Sequence, residues 1–220
     1  AIENWISARR AIFRSPIDRI GYGGYLSLAY KFPAFLDTME SVAEEFREIH
    51  QEVKGQKAYN KCKVAILNAW GKIRSWQAYM VAHALYYQQI YSYFGILEAL
   101  SGMAVEVKFL SFTDLLENGI PKDIDVILNA GDAGTSWSGG EIWQNERLCT
   151  MIRQFVYEGG GFIGVGEPCA TQYQGSFFQL SDVLGVEKEL GFSLSTDKYF
   201  KTEKAKHFLL EDFSKEELSF

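Results

Sequence analysis

Three short apolar runs, KVAILNAW from Lys63, DVILNAGD from Asp125 and GFIGVGEP from Gly161, constrain this chain more than any other feature. Each is uninterrupted rather than alternating, which is how a strand reads when both its faces are covered. Between them lie stretches of helical periodicity. A helix of about 76–100 follows the first run, then VEVKFLSF and the short helical TDLLENG. A helix of about 145–158 precedes the third run and is stopped by Gly159–Gly161. Strands that alternate with helices in this way pair in parallel through right-handed crossovers. The expected fold is therefore α/β: a three-layer, doubly wound parallel sheet.

Residues 1–57 break that rhythm. Phe35, Leu36, Met39, Val42, Ala43, Phe46 and Ile49 make one apolar helical stripe after Pro33, and Gly55 is its stop. A helical pair without its own sheet buries little, so this segment is expected to pack on something else. The boundaries read from the pattern are a helical segment over 1–57 and an α/β domain over 58–220.

In an open parallel sheet, ligands sit beyond the carboxyl ends of the strands. Here those ends are Asn68 to Gly71, Asn129 to Thr135 and Gly164 to Cys169. Asn129, Asp132 and Glu167 stand where apolar strands give out, Gly131 permits a tight turn, and Thr135 adds a hydroxyl. That set suits a hydroxyl-rich or anionic small molecule. Asn, Asp and Gly are also what ordinary strand-to-helix turns are made of, and it is the convergence of three such loops that favours a site. Trp137, flanked by Ser and Gly, reads either as a sugar platform or as an aromatic plug docking on a neighbouring domain. In the 76–100 helix, Tyr79, Tyr86 and Tyr93 form a second stripe expected to face another domain or subunit, while His83 reads as a buried, hydrogen-bonded histidine.

Several function classes are disfavoured. A net charge of −6 leaves no basic excess for nucleic acid or an anionic membrane. Cys62, Cys149 and Cys169 form no C-x-x-C pair, and the three histidines form no H-E-x-x-H pattern, so neither a metal site nor a disulfide framework is expected. No apolar run reaches membrane-spanning length, and the opening residues AIENWISARR read as a segment cut from a longer polypeptide, without a signal peptide. Cytoplasmic residence is the expectation. GGGFIGVGEPCA resembles the elbow of glutamine-amidotransferase-like domains, with the turn near Gly166 and Glu167 and Cys169 beyond it. His207 and Glu211 follow the lysine-rich KTEKAK and read as surface, so thiol chemistry is not expected of Cys169.

SPIDRIGYGGYLSLA, KVAILNAWGKIRSWQ, VILNAGDAGTSWSGGE and GGGFIGVGEPCATQYQGSFFQLSDVLGV, in that order, resemble the lacto-N-biose (galacto-N-biose) phosphorylase family over nearly the whole chain. The resemblance implies a three-part enzyme: an N-terminal (β/α)8 barrel, a central class I glutamine-amidotransferase-like (flavodoxin-like) domain, and a C-terminal β domain. This chain would hold the helices leaving the barrel and then the central domain. It also implies phosphorolysis of galactosyl-β1,3-N-acetylhexosamine to α-galactose 1-phosphate, with inorganic phosphate as co-substrate and no cofactor. The family's catalytic acid belongs to the barrel, and no residue here matches it. Asn129, Gly131, Asp132, Thr135, Trp137 and Glu167 are then candidates for sugar or phosphate contact, chosen by strand-end position. The acceptor sugar stays open among N-acetylglucosamine, N-acetylgalactosamine and rhamnose. A homo-oligomer, and a non-catalytic interaction domain of a β-galactosidase-like enzyme, also stay open.

Overall fold

The computed structural model describes residues 5–6, 8–9, 11–12, 19–21, 25–57, 59–69, 91–188, 207–208 and 211. The chain divides into a unit ending at Lys188 and a second unit from Glu189. In the second, His207 and Phe208 are exposed with ring centroids 4.7 Å apart.

The apolar runs form a four-stranded parallel sheet. β1 (Cys62–Asn68) pairs along its full length with β2 (Val105–Ser111), from Cys62 opposite Val105 to Asn68 opposite Ser111. On its other side β1 pairs with β3 (Val126–Gly131), and β4 (Gly161–Gly166) lies outside β3. The order is β2-β1-β3-β4. β1 is central, and Val64 to Asn68 are all buried, which is why its sequence is apolar without alternation. From β1 the chain builds outward to β2 and then crosses back to β3. The crevice between the carboxyl ends of β1 and β3 is therefore the topological switch point.

Alternate residues of the strands feed two clusters. Ala65, Leu67 and Ile127 pack with Phe112, Leu115, Trp143, Leu148 and Ile152. Those partners come from α4 (Phe112–Asn118), the 3-10 turn Gly140–Gln144 and α5 (Glu146–Tyr157). Val64, Ile66, Val105 and Leu128 pack with Trp137 and with Tyr93 of α3 (Tyr91–Ser101). The helices start where their caps dictate. Ser111 and Asp114 close a capping box on α4, and Asn145 Oδ1 accepts from the N–H groups of Arg147 (3.0 Å) and Leu148 (3.2 Å) at the start of α5.

Tyr93 corrects the sequence reading. It was expected on a stripe facing a partner, but it is 6% exposed and joins the core edge-on to Trp137, ring centroids 6.3 Å apart. Heptad spacing placed it on a second face of the helix, and Trp137, folding back from the β3 loop, is what covers that face. Tyr79, Tyr86 and His83, and the loop from Trp70, lie outside the described residues. The chain beyond Cys169 adds an antiparallel hairpin, β5 (Ala170–Tyr173) and β6 (Ser176–Phe178), then the short α6 (Ser181–Leu184). Gln179 pins the hairpin by donating its Nε2 to the carbonyls of Thr171, Tyr173 and Ser176 at 2.8, 3.2 and 3.0 Å.

The helical arm has the expected stripe and little to cover it. After α1 (Leu26–Ala29), α2 runs Pro33–Val53 and contains no buried residue. Trp5 Nε1 donates to Glu45 Oε2 at 2.7 Å, and Arg9 pairs with the same carboxylate at 2.9 Å. Tyr25, Leu28, Tyr30 and Phe32 are 80%, 57%, 73% and 63% exposed. Among the described residues no helix is long and apolar enough to cross a membrane.

Candidate functional site

The carboxyl ends of β1, β3 and β4 are laced together by backbone. Ala69 N–H donates to Ser136 O at 3.0 Å, joining the end of β1 to the β3 loop. Glu167 N–H donates to Gly131 O at 2.9 Å, joining β4 to β3. The three loops singled out in the sequence therefore do meet at one edge of the sheet.

Four of the six candidate residues spend their groups inside this edge. Asn129 is fully buried: its Nδ2 donates to Ser138 O at 3.1 Å and its Oδ1 accepts from Cys169 N–H at 2.7 Å. Thr135 Oγ1 donates to Asp132 O at 2.8 Å, and Ser138 Oγ donates to the same carbonyl at 2.6 Å. Trp137 is 3% exposed, its ring packed edge-on to Tyr93 within the same domain rather than against a neighbouring one. Gly131 has φ +118°, and a Cβ there would lie 2.9 Å from Trp137 Cβ and 3.1 Å from Ser138 N. Only glycine lets the loop turn this tightly over the strand end.

Asp132 and Glu167 are half-buried at this edge. Glu167 Oε2 accepts from Ala133 N–H at 3.0 Å, and Oε1 pairs with Lys188. Partial burial pushes the Glu167 carboxyl up, but the Lys188 ammonium and the Ala133 N–H together pull it further down, below the usual glutamate range. Glu167 is thus ionised at neutral pH and unsuited to donating a proton to a leaving group. Sequence reasoning missed Lys188, which stands 21 residues from its partner with no motif linking them. It also missed Ser138 and Trp143, whose Nε1 donates to Ser138 O at 2.5 Å. The only hint was the density of Ser, Gly and Trp between 133 and 143.

Cys169 is fully buried, with φ +47° at the turn out of β4. Burial pushes its thiol up to about 12, which disfavours the thiolate that a nucleophile needs near neutral pH. Iodoacetamide at pH 8 is expected to leave Cys169 unmodified in the folded chain and to label it in denaturant, read by peptide mass mapping. Fast labelling without denaturant would restore thiol chemistry to the site.

Comparison with known proteins matches residues 63–220 to the lacto-N-biose phosphorylase central domain and residues 1–61 to the lacto-N-biose phosphorylase N-terminal TIM barrel domain. A 1,3-beta-galactosyl-N-acetylhexosamine phosphorylase of Lachnoclostridium phytofermentans is 54% identical over 214 residues, covering 97% of this chain and 30% of that protein. One from Bifidobacterium longum subsp. longum is 55% identical over 213 residues, covering 96% and 28%. A D-galactosyl-beta-1->4-L-rhamnose phosphorylase of Lachnoclostridium phytofermentans is 41% identical over 200 residues, covering 90% and 27%. The chain thus spans about 30% of the length of the curated relatives it matches.

Proposed function

We propose, for a chain that belongs to the lacto-N-biose phosphorylase family, that the whole protein cleaves galactosyl-β1,3-N-acetylhexosamine with inorganic phosphate, giving α-galactose 1-phosphate with inversion. Identity of 54–55% across nearly the full chain to relatives named as phosphorylases for that disaccharide class carries the reading. One carboxylic acid protonates the glycosidic oxygen while phosphate attacks the opposite face of the sugar, so a single catalytic carboxyl suffices. That acid lies in the barrel, and residues 58–220 serve the domain that closes over its mouth. The depressed carboxyl of Glu167 supports this division of labour, because an ionised group is the wrong partner for a leaving oxygen.

Residues 1–57 are then the helices leaving the barrel, and 58–220 the central domain. The half-uncovered stripe of α2 and the exposed Tyr25, Tyr30 and Phe32 support packing against the remainder of the barrel, since an apolar patch of this kind is unfavourable in water. For the central domain the finer fold is three-layered and amidotransferase-like. The strand order 2-1-3-4 and two apolar clusters fed by alternate strand residues support it. At its carboxyl edge Asp132 and Glu167 present polar groups toward sugar or phosphate, while Asn129, Gly131, Thr135 and Trp137 shape the loops that hold them. The reaction needs phosphate as co-substrate and no cofactor, and it runs in the cytoplasm. The barrel and a C-terminal β domain of the same polypeptide are the partners.

Phosphate-dependent release of galactose 1-phosphate from galactosyl-β1,3-N-acetylglucosamine, assayed for the full-length protein beside these 220 residues, tests the reading. Activity in the full-length protein alone is expected. Turnover by the 220 residues would overturn the assignment of the acid to the barrel. Silence from the full-length protein with N-acetylglucosamine, N-acetylgalactosamine and rhamnose acceptors alike would sink the phosphorylase reading.

A further inference from the structure

Two asparagines, Asn68 on β1 and Asn129 on β3, stand at the carboxyl ends of the two central strands, and both are fully buried. They use their amides differently. Asn129 gives both ends to backbone, at Ser138 and Cys169. Asn68 Nδ2 donates to Tyr93 Oη at a long 3.4 Å, and among the described residues its Oδ1 has no hydrogen-bond partner. Buried side-chain polar atoms are in the large majority hydrogen-bonded, so an amide with one end to spare marks a place for a partner.

The surroundings select what that partner is. Tyr93 is 6% exposed, and it packs with Val64, Ile66, Val105, Leu128 and Trp137, none of which carries a charge. Among the described residues nothing there offers a counter-charge to an ion that would lose its hydration. A neutral hydroxyl both donates and accepts, so it satisfies the amide in either orientation and can also reach Tyr93 Oη. The place is the switch point of the sheet, where Ala69 N–H ties β1 to the β3 loop at Ser136 O.

We propose that Asn68 and Tyr93 form a binding site for one neutral hydroxyl group at the carboxyl end of β1. Its source is a resident water molecule or a hydroxyl of a bound galactose. The site itself is independent of the acid and of Asp132 and Glu167, while galactose as its source rests on the phosphorylase reading.

Crystals of the intact protein, grown with and without galactose, read the source directly. An ordered oxygen within hydrogen-bond distance of the Asn68 amide in sugar-free crystals identifies the resident water. The same position filled only with galactose present identifies the sugar hydroxyl. A protein group seated on the amide overturns the proposal. In solution, the double variant Asn68→Leu/Tyr93→Phe keeps the bulk and removes both polar ends. Its unfolding midpoint, measured with galactose present at saturation so that either source is in place, is expected to fall by about 3–6 °C. An unchanged or raised midpoint would mean that the amide was an uncompensated burden and the site is empty of function. Should the double variant not fold, Tyr93→Phe alone is expected to lower the midpoint in the same direction, and a rise there overturns the site equally.

Discussion

Gly131→Ala should cost the chain on the order of 3–5 kcal/mol, a large share of the roughly 5–15 kcal/mol that holds a domain together. Two separate penalties add. At φ +118° any side chain strains the backbone, and the new Cβ would meet Trp137 Cβ at 2.9 Å, Ser138 N at 3.1 Å and Thr135 Oγ1 at 3.1 Å. None of these neighbours has room to give. Trp137 is wedged against Tyr93, and Ser138 is held by three groups at once: Asn129, Trp143 and the Asp132 carbonyl. Gly134→Ala, in the same loop, is the control. Its φ is +74° and nothing lies within 4 Å of the added Cβ, so only strain of about 1–2 kcal/mol is expected. Urea unfolding of the two variants beside the parent reads the difference. Equal losses would mean that the β3 loop moves aside and that the close packing of Trp137 over the strand end is not what fixes it.

Asn129→Ala is expected to lose about 3–4 kcal/mol. It strands the buried N–H of Cys169, removes one of the donors to Ser138 O and leaves a hole between β3 and β4. Asn129→Asp is the sharper probe, because it nearly preserves shape. One of its oxygens still accepts from Cys169 N–H, but the other faces the Ser138 carbonyl, an acceptor. Only a protonated carboxyl can donate there, so burial and the carbonyl both raise the folded-state pKa above its unfolded value. The extra stability of the protonated form is fully present below the unfolded pKa and is lost as pH rises through the folded one. Asn129→Asp should therefore approach the parent near pH 4 and fall behind it at pH 7, read as urea midpoints at the two values. A gap that stays constant with pH would mean that the amide does not bridge the two strand ends as drawn.

Much of this fold was legible because its signals are local. The uninterrupted apolar runs at Val64–Leu67 and Val126–Leu128 could only be strands covered on both faces, and Pro33 and Gly55 bracketed a helix that runs Pro33–Val53. The strand ends where Asn129, Asp132 and Glu167 stand followed from the same pattern. The turn that carries Cys169 beyond the end of β4 was legible in the same way, and there Cys169 is fully buried.

What each polar group at those ends does was not legible. Asn129 could have faced solvent or a ligand; it faces Cys169, 40 residues away, because β4 pairs beside β3 and delivers that N–H to it. Trp137 read as a sugar platform or a plug on a neighbouring domain, and it lies instead edge-on to Tyr93 of α3 in its own domain. Lys188 meets Glu167 only because the chain, after the hairpin and α6, returns to the edge of the sheet. Periodicity depends on neighbours three or four residues apart and is written in the sequence itself. Hydrogen-bond and ion-pair partners 21 to 40 residues apart are set by which strand lies beside which. The strands, the helices and the edge where polar residues gather are written in local patterns of residues. Which of those residues brace one another and which still face outward is set by packing, because a buried polar group must find its partner wherever the fold brings one.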